Sequence, residues 1–393
     1  MQDRFAFHTT TKFIFGKGVS LELAEELAAR GFRKALVVTD PGIVKAGLLR
    51  GLLDSFVKNG VLYEVFSEVP PNPPSTIVRR GVQAFRDGGC DTLVAVGGGS
   101  VMDACKCIGI MTANEGDVID YDIGIGTRTF RRPGPAAYMV PTTSGTGSEV
   151  NHWGVITNEA THWKSSIGGP LMMPAGAYVD PALTLGLPPS ITAATGMDAL
   201  THAIEAYTTK AALNGASPVT DLYSLEAIRL IGGHLRQAYA QGGNYEARRC
   251  MMLGSTMASL AFSSVGLGNT HGLAHPLGGH FDIPHGVANA MLLPHVMRFN
   301  VVACPERFAD IAVALGENIE GLSVVEAADK AVASVVRLAK DVGIPRLRSF
   351  PATPADFERL AQDALRDVNT SNNPRASTLR DLIALYEQAY DAE

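Results

Sequence analysis

Four of the ten histidines in this 393-residue chain fall within fifteen positions, at His271, His275, His280 and His285. Imidazoles are the commonest transition-metal ligands, and a carboxylate beside them lowers the net charge of a site and fixes its geometry. A second segment, Gly196 to Tyr207, offers such a carboxylate, because Asp198 and His202 stand four apart and share one face of a helix. Glu205, three residues past His202, can serve as a third ligand or as an acceptor behind the first. One Asp/His pair at this spacing is more often a helical hydrogen bond; the two clusters together point to a bound divalent metal. Spacing does not decide which three histidines bind. His271 and His275 share a face if their segment is helical, whereas His285 follows a proline. Gly272, Pro276, Gly278, Gly279, Pro284 and Gly286 predict a shaped turn around these histidines.

A second chemistry is written in the first half. Gly97-Gly-Gly-Ser100 follows an apolar run and precedes a helical one, so backbone amides at a helix N-terminus can approach a phosphate. The loop Pro141 to Ser148 packs hydroxyls and glycines into eight residues, a composition suited to phosphate, ribose or amide contacts. Two such loops on consecutive strand ends point to a dinucleotide site. Asp40 ends a strand-like run, where its carboxylate can accept ribose hydroxyls or simply cap the turn into Pro41-Gly42. The order departs from the ordinary dinucleotide fingerprint, in which glycines precede the acid by about 20 residues; here the acid comes first.

The elements that must position these groups divide the chain in two. β-rich runs at Lys34–Asp40, Leu62–Phe66, Thr92–Val96, Ala137–Val140 and Gly176–Asp180 alternate with amphipathic stretches, which predicts a parallel sheet covered by helices. After Pro181 and Pro188-Pro189, with Ser190 as helix N-cap, the β-branched runs give way to helical spacing at Ile191–Tyr207, Val219–Ala240, Ala247–Phe262 and Ala327–Asp341. The expected domains are 1–187, α/β and nucleotide-binding, and 188–393, all-helical and metal-binding, with the boundary near 185–190. No internal repeat or low-complexity tract is present.

Composition narrows the class. Hydrophobic residues make up 46% of the chain, enough for large cores, and the net charge of −6 with scattered basic residues argues against a nucleic-acid partner. No apolar run approaches the ~18 residues needed to span a bilayer, and Met1 to Gly18 lacks a signal-peptide core, so a soluble, cytoplasmic protein is expected. The five cysteines form no paired framework, as suits a reducing compartment. Cys105 and Cys107, two apart on an expected helix, point about 200° apart and read as buried thiols and not as a metal pair.

These motifs resemble the iron-containing, or group III, alcohol dehydrogenases, the family of lactaldehyde reductase and 1,3-propanediol dehydrogenase. The resemblance spans nearly the whole chain: Phe15 to Gly18, Pro71 to Pro73, Gly97 to Ser100 with Asp103 and Lys106, Pro141 to Val150, Gly196 to Tyr207, His271 to Gly278, Pro284 to Asn289 and Asn372 to Arg375. It implies a dehydroquinate-synthase-like fold, an α/β nucleotide domain followed by an all-α metal-binding domain. It also implies that Asp198, His202, His271 and His285 are the metal ligands, and that His275 is a catalytic histidine near the nicotinamide. Asp40, Asn72, Gly99, Ser100, Thr142, Thr143 and Lys164 match cofactor-contacting positions, and Gly97, Gly98, Asp103 and Thr146 complete the expected NAD contacts. His280 matches no ligand position. Asn269-Thr270 and Asn151-His152-Trp153 stand where relatives vary, and with Phe262 they leave the substrate open.

The activity so implied is hydride transfer between a small primary alcohol or diol, or its aldehyde, and NAD(H), by a homodimer or larger homo-oligomer. Iron comes from the family and not from the ligands, since carboxylate and imidazole donors rank Zn²⁺ above Fe²⁺ and Zn²⁺ can substitute. The alternatives are a zinc polyol dehydrogenase of the glycerol type, a maleylacetate-reductase-like enzyme, a phosphate-ester metallohydrolase, or a non-catalytic nucleotide or metal sensor. The complete four-ligand set disfavours the first two, and a metallohydrolase has no need of Asp40 at a ribose position.

Overall fold

The structure, a computed structural model, describes residues 5, 7, 9–214 and 217–392. It divides into two compact units, one of 9–143 with 147–185, the other of 186–392 with Ser144–Thr146 and the described part of residues 1–8.

The first unit is built on strands β1 (Lys12–Phe15), β2 (Lys34–Val38), β3 (Leu62–Phe66), β4 (Thr92–Gly97) and β5 (Ala137–Pro141), a hairpin of β6 (Trp153–Asn158) and β7 (Trp163–Gly168), and β8 (Gly176–Val179). Its helices are α1 (Leu23–Ala29), α2 (Pro41–Lys45), α3 (Arg50–Lys58), α4 (Ser75–Asp87) and α5 (Gly99–Met111). The main sheet runs β1-β8-β5-β4-β2-β3, every pair parallel, and the hairpin stands separate from it. Alternate residues face opposite layers: Ala35, Val37, Val94 and Val96 pack with Leu27 and Phe56 of α1 and α3. Leu36, Val38, Leu93 and Ala95 pack with Val78 and Val101 of α4 and α5. Burial on both faces is why these strands read as continuous apolar runs.

Strand order explains the displaced acid. Chain order runs outward from β2 to β3 and then resumes on the other side of β2 with β4, a topological switch point at which ligands collect beyond the strand ends. The ends of β2 and β4 are therefore neighbours, with Val38 in register with Ala95 and Thr39 Oγ1 donating to Val96 O at 2.8 Å.

Among its described residues the second unit's regular elements are all helical, chiefly α6 (Pro189–Thr208), α7 (Lys210–Leu213), α8 (Pro218–Ala240), α9 (Tyr245–Val265), α10 (Asn269–Phe281), α11 (His285–Asn300), α12 (Pro305–Ala314), α13 (Val324–Asp341), α14 (Phe357–Arg366), α15 (Val368–Ser371) and α16 (Leu379–Asp391). One core joins α6, α8, α9, α12 and α13, a second joins α10, α11, α14 and α16. No single helix among the described residues is long and apolar enough to cross a membrane; α9 and α10 reach that length together but are bent by 103°.

Two expectations are corrected. Ser190 does not cap α6: the helix starts at Pro189 with Pro188 in the cap position, because proline's fixed φ and missing N–H suit the first helical turn. The histidine-rich segment is not a turn. It is two helices, α10 and α11, separated at Asp282–Pro284. Its glycines mark close helix contacts: a Cβ on Gly286 would lie 2.3 Å from Ala194 O, and one on Gly272 2.2 Å from Thr370 Oγ1.

Candidate metal centre and nucleotide loops

One turn of α6 presents Asp198 and His202, one turn of α10 presents His271, and the first residue of α11 is His285. Their ligand atoms, one per residue, all lie within 4.8 Å of one another. The rings stack as a group, His202 on His271 at 4.7 Å and His271 beside His285 at 5.2 Å, and Phe262 packs against His202 at 4.7 Å.

Hydrogen bonds behind two of the rings favour one free nitrogen on each. His271 Nδ1 donates to Glu205 Oε2 at 2.6 Å, while Thr270 N donates to Oε1 at 2.7 Å. His202 Nδ1 donates to Gly145 O at 3.2 Å. Both rings thereby keep an unprotonated Nε2, the state a metal requires. Asn289 Nδ2 sits against the cage, 2.7 Å from Asp198 Oδ1 and 3.1 Å from Nε2 of both His271 and His285, so three potential ligand atoms converge on one position. The Asn289 Oδ1 beside it is buried without a partner. A divalent cation fits this donor set.

Electrostatics agree. Burial alone raises the Asp198 carboxyl, but the facing His202, His285 and His271 rings together outweigh it and hold the group below the usual carboxylate range. Burial pushes His271 well below an ordinary imidazole and lowers His285 likewise, so both stay neutral and able to ligate. Burial raises the Glu205 carboxyl against the pull of the Thr270 and Gly268 donors.

His275 stands apart from the four-residue cluster. Its ring lies 5.5 Å from His285 and 6.2 Å from His271, and its Nδ1 is 2.6 Å from Asp367 Oδ2. His280 Nε2 is 2.8 Å from Asp363 Oδ2. Sequence reasoning named neither Asp363 nor Asp367, nor Gly145 and Asn289 in these roles. Only Asn289, one turn past His285, carried a local signal.

In the first unit, Gly97 to Ser100 forms the β4–α5 turn, with Gly98 capping α5. A Cβ on Gly97 would meet Val101 at 2.6 Å. Thr142 N donates to Gly97 O at 3.0 Å across the β4–β5 pair, where Gly97 is in register with Pro141, so the glycine and threonine loops run side by side. A Cβ on Gly98 would touch Thr143 at 3.3 Å. Thr142 Oγ1 is buried without a hydrogen-bond partner.

The remaining expected cofactor residues differ in how they are held. Asp40 caps α2: its Oδ1 accepts from Ile43 N at 3.0 Å, leaving Oδ2 for another donor. Asn72, at φ +52°, accepts through its carbonyl from Thr157 Oγ1, which in turn accepts from Lys164 Nζ at 2.9 Å. Asp103 is engaged inside the fold, accepting from Ser148 Oγ at 2.5 Å and Val155 N at 3.0 Å, with the buried Lys106 beside it at 3.6 Å. Thr146 belongs with the helical unit. Trp153 packs across Gly168, where a Cβ would lie 2.1 Å from its ring.

Two family models match the chain, "Iron-containing alcohol dehydrogenase" over residues 10–181 and "Fe-containing alcohol dehydrogenase family, C-terminal" over 192–390. This chain belongs to the iron-containing alcohol dehydrogenase family. It is similar to 1,3-propanediol dehydrogenase of Klebsiella pneumoniae, 45% identical over 379 residues covering 96% of each chain. It is 42% identical to lactaldehyde reductase of Escherichia coli K12 over 96% of this chain and 97% of the other. A solved structure of 1,3-propanediol oxidoreductase superposes with a TM-score of 0.93 at 45% identity, covering 98% of this chain and 100% of that one. The chain is accordingly a metal-dependent, NAD-linked alcohol oxidoreductase of this family.

Proposed function

We propose that the chain interconverts short primary alcohols or diols with their aldehydes, with three-carbon diols and hydroxyaldehydes as the preferred class, a reading supported by the activities named for its relatives at 45% and 42% identity. The observation that carries the site assignment is the convergence of Asp198, His202, His271 and His285, with their ligand atoms within 4.8 Å of one another. These four hold Fe²⁺, and Zn²⁺ can take the same donors. When bound, the ion supplies a Lewis acid that eases deprotonation of an alcohol and polarises an aldehyde carbonyl.

The chain's own residues do the rest. Glu205 and the Gly145 carbonyl hold His271 and His202 with Nε2 unprotonated, and Asp198 contributes negative charge to a divalent site. His275 takes the alcohol proton in oxidation and returns it in reduction, the exchange an imidazole performs near neutral pH. In the nucleotide unit, the backbone of Gly97, Gly98, Gly99 and Ser100 at the start of α5 holds the cofactor pyrophosphate. Thr142, Thr143, Thr146, Asn72 and Lys164 bind its polar groups, and the second oxygen of Asp40 accepts from the adenosine ribose. Asp103 acts from behind, through Ser148 and Lys106. NAD, when bound, supplies the hydride acceptor for oxidation and, reduced, the donor for the reverse reaction.

We place the protein in the cytoplasm as a homodimer or larger assembly; five buried, unpaired cysteines suit a reducing compartment. The test is a panel from ethanol to hexanol with 1,2- and 1,3-propanediol, assayed for NADH formation with Fe²⁺-loaded protein. The proposal expects the highest kcat/KM among the propanediols. No turnover with any member would leave a binding role and sink the enzyme reading.

A further inference from the structure

We propose that Asp367 is a positioning residue for proton transfer, fixing His275 in one tautomer and one ring orientation. The inference rests on the proposed role of His275. Asp367 Oδ2 lies 2.6 Å from His275 Nδ1, and both side chains are buried. The other oxygen, Oδ1, accepts from Asn369 N and Asn369 Nδ2, each at 2.9 Å. An ionised carboxylate only accepts hydrogen bonds, so the proton of neutral His275 sits on Nδ1, and Nε2 is left as the ring atom that can take up a proton.

The fold holds Asp367 in place from several directions. It caps the short helix α15, its carbonyl accepts from Thr370 N at 3.2 Å, and Thr370 Oγ1 donates to Ala364 O at 2.6 Å. Gly272, one turn before His275 on α10, admits this turn: a Cβ there would lie 2.2 Å from Thr370 Oγ1. A neighbouring pair, His280 with Asp363, ties α10 to α14 at 2.8 Å and is partly exposed. That second pair supplies a tether of the same chemistry away from His275. A tether alone therefore does not require a buried carboxylate at 367, whereas an acceptor-only group bonded to Nδ1 is what fixes an imidazole tautomer.

The experiment is a double-mutant cycle on the metal-loaded enzyme, with Asp363→Asn as the tether control. Each variant is measured for kcat, alcohol KM, metal content and Tm. In Asp367→Asn the amide oxygen is claimed by the two Asn369 donors, so its NH₂ faces His275 Nδ1 and favours the opposite tautomer. Asp367→Asn should lower kcat by about as much as His275→Ala, roughly 10²-fold or more, with KM within about twofold and metal content unchanged. In the His275→Ala background the same substitution should cost less than about twofold, because the two residues act as one unit. Asp363→Asn should leave kcat intact. Multiplying losses in the double variant, an equal kcat loss in Asp363→Asn, or metal loss in Asp367→Asn would overturn the proposal. Should Asp367→Asn fail to fold, Asp367→Glu keeps the carboxylate, and retention of more of the kcat than Asp367→Ala is then the required result. If His275→Ala keeps full rate, the role assigned to His275 fails as well; a large loss there with an inert Asp367→Asn defeats the role of Asp367 alone.

Discussion

Replacing Glu205 with Gln changes one buried group and has two calculable consequences. The carboxylate accepts Thr270 N at 2.7 Å and His271 Nδ1 at 2.6 Å, and it is almost fully buried. A glutamine offers one acceptor and one donor in their place, so an N–H of Thr270 or His271 must face another N–H. A buried donor left unpaired costs about 1–3 kcal/mol. His271 can escape by moving its proton to Nε2, but that nitrogen then has no lone pair for an ion. Either response weakens metal binding, and loss of such an orienting partner typically reduces affinity about 10–100-fold, which corresponds to about 1.4–2.8 kcal/mol. The assay is anaerobic chelator competition for Fe²⁺ or Zn²⁺ on wild type and variant, with Tm of the metal-free proteins measured alongside. An unchanged metal affinity would refute the reasoning, whatever happens to Tm.

Asp40→Gly should lose part of its NAD affinity and admit NADP, whose phosphate carries roughly −1.5 to −2 charge and is repelled by the wild-type carboxylate. Because glycine is itself an acceptable cap, Tm should fall by little; kcat/KM for the two cofactors decides, and an unchanged ratio would reduce Asp40 to a cap. His275→Ala should retain a full complement of metal while losing about 10²-fold or more in rate; loss of metal in step with activity would move His275 into the ligand set. Cys105 is fully buried and its thiol is pushed up to about 12 by that burial, and burial raises Cys107 as well. Neither should react with a thiol reagent near neutral pH until the protein unfolds, since the thiolate is the nucleophile; labelling of the native protein at either position would contradict the packing around α5.

Sequence legibility followed the range of the interactions. The runs at Lys34, Thr92, Ala137 and Gly176 were readable because strands buried on both faces are apolar along their length; Leu62–Phe66, a largely exposed edge strand, was readable from its tyrosine, valine and phenylalanine. β1, four residues at the sheet edge, and the β6–β7 hairpin were not read as strands. The hairpin's residues mix tryptophan, lysine, serine and asparagine, since it is held by antiparallel pairing and by Trp153 over Gly168. The histidine segment misled in another way: glycines and prolines suggested a turn, yet Gly272 and Gly286 are there because neighbouring chain passes too close for a side chain. Residue type announced a metal site, while the choice of His271 and His285 over His275 and His280 came from the family resemblance. Of the supports behind the rings, Glu205 was legible as an acceptor from its place three residues past His202, whereas Gly145 lies 57 positions from His202 and Asp367, behind His275, 92 positions away from it, and neither was read. Distance in sequence likewise separates Asp40 from Gly97, whose strands only the order of β2 and β4 makes neighbours.

The most direct test of the account follows NADH formation against bound iron. Metal-free protein is titrated anaerobically with Fe²⁺ in the presence of NAD and an alcohol. Turnover should be absent at the start, rise in proportion to bound ion, and level off at one ion per chain, matching the single four-residue cluster among the described residues. His271→Ala and His285→Ala should bind no stoichiometric iron and stay inactive while the fold and NAD binding persist. Full turnover by the metal-free protein, or full metal occupancy and turnover in either variant, would contradict the account.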